Sequence, residues 1–230
     1  MSPNRLFGSR LSPFVEKVAR ALFLKAIDYE LVELRSPRDF GRWNPQTGKI
    51  PVLEIDGERI YDSTFILRRL EQLRPEPPLF SSDPSRAAAE RLLEDWADES
   101  LYWLTMALRW AEPNRAATTE QLAGTFPAWL RPLLRATLPR KIGGMARVQG
   151  MGRLPYQTLV VEYGKRLDDL VFVLGESPYL HGERPGAADL AVYGQLRTGR
   201  SGPTPELTDL ISHRPALVDL ERRIEAETGA

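Results

Sequence analysis

The chain contains no cysteine. Disulfides, cysteine–zinc sites, iron–sulfur clusters, cysteine nucleophiles and protein-borne thiol–disulfide exchange are therefore excluded. Histidine is nearly as scarce, with only His181 and His213 available to build a metal centre. Long apolar runs are missing too. Each is too short or too charged to span a bilayer, and the N-terminus lacks the apolar stretch of a signal peptide. Neither charge sign is in excess: 31 basic residues balance 31 acidic ones, so no global field draws the chain to nucleic acid. These absences predict a soluble, cytoplasmic protein that works with no nucleic acid, no metal and no tightly bound cofactor. What is present is ordinary for a globular chain of 230 residues: 42% hydrophobic, 27% charged and 9% aromatic.

The first seventy-odd residues alternate between strand and helix signals. Asn4–Phe7 reads as a short strand, and Ser12-Pro13 as a helix start, with a polar cap and Pro at the first helical position. Val15, Val18, Ala19, Leu22 and Phe23 then recur at helical spacing. Tyr29–Leu34 is a second strand, and Ser36-Pro37 repeats the cap signal. Ile50–Ile55 and Glu58–Tyr61 are apolar runs joined by Asp56-Gly57, a strong hairpin signal. Asp62-Ser63 opens another helix. The predicted order is β-α-β-α-β-β-α over residues 1–75. Residues 76–84 read as a Pro-rich exposed linker. An all-helical domain follows over 85–230, with helices expected near Pro84–Trp110, Thr119–Thr137, Pro155–Leu174, Gly186–Leu196 and Pro215–Glu227. Lys141–Arg153 reads as flexible.

Charge is uneven locally. Residues 121–165 carry a net +6 through Arg131, Arg135, Arg140, Lys141, Arg147, Arg153 and Lys165 against Glu162, while residues 76–120 carry a net −5. Two solvated faces that attract each other explain this. So does a weak contact of residues 131–153 with an anionic membrane surface.

Three short motifs can carry chemistry. Ser12 stands where a helix exposes unpaired N–H groups and a partial positive charge, which stabilise an arriving anion such as a thiolate; it also serves as a plain cap. In Lys49-Ile50-Pro51-Val52, a cis proline would turn the Ile50 backbone outward to pair with a peptide-like ligand, and Lys49 could meet a carboxylate; a trans proline at a loop-to-strand junction is the alternative. Asp62-Ser63 can bind both halves of an amino-acid headgroup, or simply cap a helix.

Taken together, these motifs resemble the glutathione S-transferase superfamily. The run LSPFVEKVARAL…YELVEL…NPQTGKIPVLEIDGERIYDS matches its pattern in order and spacing. The resemblance implies a thioredoxin-like first domain and a second, helical one. It implies glutathione as cosubstrate, with Ser12 stabilising the thiolate. It also assigns Phe14, Lys49, Ile50, Pro51, Asp62 and Ser63 to binding the tripeptide. The serine places the chain with serine-type transferases, and its second domain resembles the metaxin-like and failed-axon-connections-like branch. Gly186 stands where the family's late helix has a capping Ser or Thr, while Asp189 is kept. The expected function is conjugation of glutathione to a small hydrophobic molecule, a detoxification chemistry, in a homodimer. The alternatives are a glutathione-dependent peroxidase or isomerase, and a non-enzymatic adaptor. The electrophile would lie against Tyr102, Trp103, Met106, Arg109 and Trp110; Trp96, Trp103 and Trp110 at seven-residue spacing also suit a helix core.

Overall fold

A computed structural model of the chain describes residues 3–229. The first domain is a four-stranded sheet with helices: β1 (Arg5–Gly8), α1 (Pro13–Leu24), β2 (Glu30–Glu33), α2 (Arg38–Trp43), β3 (Val52–Ile55), β4 (Glu58–Tyr61) and α3 (Ser63–Leu73). Strand order is β2-β1-β3-β4. The β1–β2 pair is parallel, Arg5 opposite Glu30, which requires the α1 crossover. β3 runs antiparallel to β1, with Phe7 opposite Val52, and pairs with β4 through the Asp56-Gly57 turn. Both turn residues have positive φ, as such hairpins need.

Side chains alternate across the sheet. Leu6 and Leu53 join the main core with α1, α3 and most of the second domain. Phe7 and Val52 belong to a second cluster with Leu34, Trp43, Phe126, Leu130 and Leu134. The sheet is thereby buried on both faces.

The second domain is all-helical: α4 (Pro84–Trp96), α5 (Tyr102–Trp110), α6 (Glu112–Gly124), α7 (Arg131–Gln149), α8 (Tyr156–Leu174), α9 (Ala187–Arg200), α10 (Pro205–Ser212) and α11 (Pro215–Glu227). The expected helix over 84–110 is helical throughout, as α4 and α5 in succession. A π-helical turn at Ala97–Leu101 joins them. The expected helix over 119–137 is broken at Pro127, which opens a 3-10 turn at Ala128–Leu130. Lys141–Arg153, read as flexible from its composition, is helical to Gln149 and closes in a 3-10 turn at Met151–Arg153. α10 had no counterpart in the sequence reading.

The 76–84 stretch is also less exposed than its composition suggests. Leu79 is fully buried. The Lys25 ammonium donates to the Pro77 carbonyl at 2.6 Å and pairs with Glu71 at 2.5 Å. The Leu79 carbonyl accepts from Ala187 N–H at 2.8 Å and so ties the linker to α9.

α9 forms the spine of the molecule and runs against α1. Gly194 makes this possible, because a Cβ there would be driven into the Pro13 carbonyl. The absence of Ser or Thr at position 186 has a similar cause. A Cβ at Gly186 would lie 2.7 Å from the His181 ring. The fully buried Asp189 carboxylate does the capping instead, accepting N–H bonds from Leu180, His181 and Gly186 at 2.6, 3.0 and 2.9 Å. Burial pushes its pKa up to about 6, and the three donors pull against that rise.

Asp189→Ala leaves those three buried donors unpaired. At about 1 kcal/mol or more each, it should lower stability by about 3 kcal/mol, read as a lower urea midpoint with unchanged slope.

Candidate active site

Ser12 occupies the cap position of α1 in extended conformation, and its carbonyl accepts from Val15 and Glu16 N–H at 3.1 Å each. Its hydroxyl makes no capping bond. Position 13 is proline and has no N–H to offer. The side chain that would normally satisfy this helix end is therefore free to point elsewhere. Phe14, next along, packs on Tyr102 of α5 with ring centroids 4.8 Å apart, and Tyr102 on Trp103 at 5.3 Å. This aromatic file joins the start of α1 to the second domain.

The Ile50–Pro51 peptide is cis. Among the described residues, Ile50 N–H and C=O pair with no other backbone group. Asn44 fixes the loop that leads there. It is buried, donates to Lys49 O at 3.1 Å and Thr47 Oγ1 at 2.8 Å, and accepts from Gln46 and Thr47 N–H. Lys49 is exposed. Asp62 has φ 76° and ψ 135°, a conformation costly for any residue but glycine. Its Oδ1 accepts from Thr64 N–H at 2.9 Å, so it caps α3. Ser63 is buried behind it.

The sequence reading missed what stands beneath these groups. Lys17 of α1 is fully buried, and its ammonium lies 2.6 Å from both Glu94 of α4 and Asp98 of the π-helical turn. Thr64 donates to Glu94 at 2.9 Å. The N-terminal ends of α1 and α3 are thus latched to one point of the second domain. Burial pushes Asp98 up to about 6, while Lys17 holds it down; Glu94 and Asp62 add to the rise. Asp98 Oδ1 has no hydrogen-bond partner. Two carboxylates at 94 and 98 on a helical period look like a solvated face in the sequence, so nothing there marks them as buried.

A second feature involves Arg10 and Leu11, the residues just before Ser12 in the chain. Arg10, Leu11, Arg109, Gln121, Arg197, Thr198 and Ser201 enclose a cavity of about 170 Å³. Of the five residues expected to hold an electrophile, Arg109 lines it. Burial pushes the Tyr102 phenol up, and the charge of nearby Arg109 pulls against that rise. Trp103 is half-buried and donates to Glu99 at 3.1 Å, and Met106 is half-buried. Trp110 is buried, with α7 passing over it where Gly143 leaves room. Among the described residues, no group of His, Asp or Glu could hold a metal ion. No described helix is long and apolar enough to cross a membrane.

Because Asp98 holds its proton more tightly folded than unfolded, it contributes stability that is present below pH 3.8 and lost as pH rises through about 6. Denaturation at a series of pH values should show wild type losing stability relative to Asp98→Asn across that window, by at most about 3 kcal/mol. Parallel curves would show that burial does not dominate at this carboxylate.

Residues 6–78, about a third of the chain, match the family model for the glutathione S-transferase N-terminal domain. Maleylacetoacetate isomerase of Pseudomonas aeruginosa is 40% identical over 84 residues, 33% of this chain and 39% of that one. The match thus spans about two fifths of that relative's length. Isoprene-epoxide–glutathione S-transferase of a Rhodococcus species is 27% identical over 94% of this chain and 92% of its own. Among solved structures, glutathione transferase F2 of Populus trichocarpa superposes with a TM-score of 0.68 at 18% identity, over 97% of this chain and 93% of that one. Residues 6–78 thus match the glutathione S-transferase N-terminal domain, and the chain shares the fold of solved glutathione transferases over nearly its whole length.

Proposed function

We propose that the protein conjugates the thiol of glutathione to a small electrophile, and that Ser12 is the hydrogen-bond donor that holds the thiolate. The observation that carries this reading is the free hydroxyl of Ser12: it sits at a helix cap and does no capping. A neutral hydroxyl beside the positive end of a helix stabilises an anionic sulfur without competing as a nucleophile. The unpaired Ile50 backbone suits the cysteinyl peptide unit of glutathione. Exposed Asp62, with Asp98 nearby, suits the ammonium of the γ-glutamyl headgroup. Ser63 and the first amides of α3 suit its carboxylate, and Lys49 reaches for the glycyl end. Phe14 and the aromatic file behind it border the site.

The mechanism requires little of the protein beyond position and electrostatics. Glutathione binds along β3 and the start of α3, its thiol reaches Ser12, and the proton leaves to solvent. The sulfur then attacks an electrophile held by the second domain. A two-fold homodimer is part of this proposal.

One observation favours an adaptor that keeps the fold. Trp129, Leu133 and Val148 are 78%, 61% and 80% exposed on and beside the basic helix α7. Calorimetric titration separates the two readings, because an adaptor has no reason to bind glutathione.

Ser12→Ala should raise the pKa of the bound thiol and slow conjugation of an aryl halide near neutral pH. Loss of one donor to an anion is worth about 2–4 kcal/mol, or about 30- to 1000-fold. Affinity for the whole tripeptide should change far less. Asp62→Ala should do the reverse, weakening glutathione binding by about 1.5–3 kcal/mol and leaving the pH profile in place. An unchanged rate and profile in Ser12→Ala would assign thiol activation to another group.

A further inference from the structure

The cavity lined by Arg10 and Leu11 holds a charge with no opposite number. Arg109 is 6% exposed, and a guanidinium stays protonated in any protein environment. It donates one hydrogen bond, from Nη2 to the neutral Gln121 Oε1 at 2.5 Å. Its Nε is buried with no partner. Among the described residues no carboxylate lies within ion-pair distance of it. A buried cation left in this state has lost hydration that an incoming anion would offset.

The rest of the wall has the same sign. Arg10 pairs with Glu16 at 3.0 Å, and Arg197 with Glu225 at 2.9 Å. Glu16 is itself shared with Arg20 at 3.1 Å and lies 3.6 Å from Arg197. Three guanidinium groups, Arg10, Arg20 and Arg197, therefore share two carboxylates, Glu16 and Glu225. Thr198 and Ser201 add neutral hydroxyls. The walls come from both domains: Arg10 and Leu11 directly precede Ser12, and the others lie on α5, α6 and the end of α9.

We infer that the cleft selects electrophiles that carry a carboxylate, which the Arg109 guanidinium binds where it lines the cavity. A cavity near 170 Å³ fits one ring or a short chain, since about 150 Å³ holds benzene. The inference deepens the conjugation reading and rests on it for the reaction, but not for the binding.

Two aryl chlorides activated by an adjacent nitro group provide the test: a chloronitrobenzoate and the matching neutral chloronitrobenzamide. In each, sulfur forms a bond to the ring carbon, chloride leaves with the bonding pair, and the thiol proton passes to solvent. With the full chain at saturating glutathione, and rates divided by the uncatalysed ones, kcat/KM should favour the benzoate at least about tenfold, the factor given by 1.4 kcal/mol. Arg109→Gln should bring the ratio near one, and Arg109→Lys should restore part of it. A wild-type ratio near one, or a ratio unchanged in Arg109→Gln, overturns the inference.

If neither chloride reacts, the conjugation reading fails, and binding still decides the pocket. An unreactive methylnitrobenzoate should bind by calorimetry, lose affinity in Arg109→Gln, and still bind when S-methylglutathione occupies the tripeptide site. Absence of binding overturns the inference. So does loss of binding with S-methylglutathione present, since the arginines would then serve the tripeptide's own carboxylate. Thermal melts guard against misfolding: a charge buried for a ligand predicts that empty Arg109→Gln melts at or above wild type. A fall of many degrees marks Arg109 as structural and overturns the assignment.

Discussion

The closeness of α9 to the first turn of α1 determines where the reactive end of the molecule sits. Gly194 lets the two backbones meet, and the Pro13 carbonyl occupies the space a side chain would have taken. Because Ser12 precedes Pro13, the hydroxyl's position is set by a contact between domains. The same α9 begins beside the buried Asp189, which gathers the Leu180–Gly186 loop, and it receives the linker through Ala187. A helix fixed at its start, along its side and at its linker makes a rigid backstop for α1.

Charge is distributed with equal consequence along this seam. Lys17, the fifth residue of the helix that follows Ser12, draws Glu94 and Asp98 beneath the start of α3. Arg10, two residues before Ser12, belongs to a wall of guanidinium groups. The acidic cluster suits an ammonium and the basic wall suits a carboxylate. Ser12 stands in the chain between the two. Neither group is fully compensated within the protein, since Asp98 Oδ1 and Arg109 Nε both lack partners. Buried polar atoms without partners are few in native proteins, and each invites a physical account; a ligand at either end supplies one.

Much of this was legible in the sequence because local rules carried it. Pro after Ser12, Asp-Gly between two apolar runs, and Asp before Ser63 fix helix starts and a hairpin without tertiary help. Long-range causes were not legible. Apolar periodicity runs unbroken through residues 84–110, so the π-helical turn at Ala97–Leu101, which holds Asp98, leaves no mark. Lysine on an amphipathic helix reads as a solvated face, and only the arrival of α4 makes Lys17 core. Arg109 was named for its place on the tryptophan-bearing helix. That it lacks a counter-ion depends on Gln121, Arg197 and Ser201, which come from distant segments. The linker misled for a simpler reason: proline content reports missing helix and strand, while Leu79 and Lys25 show that an irregular segment can still be packed.

The central claim is that the start of α1 binds glutathione as its thiolate. Ultraviolet difference absorbance of the thiolate, recorded on the full chain with saturating glutathione across pH, measures this directly. The account predicts titration of the bound thiol at least about one unit below the ordinary value near 8.5. A bound thiol that titrates as it does in free solution, or no bound glutathione at all, would contradict it.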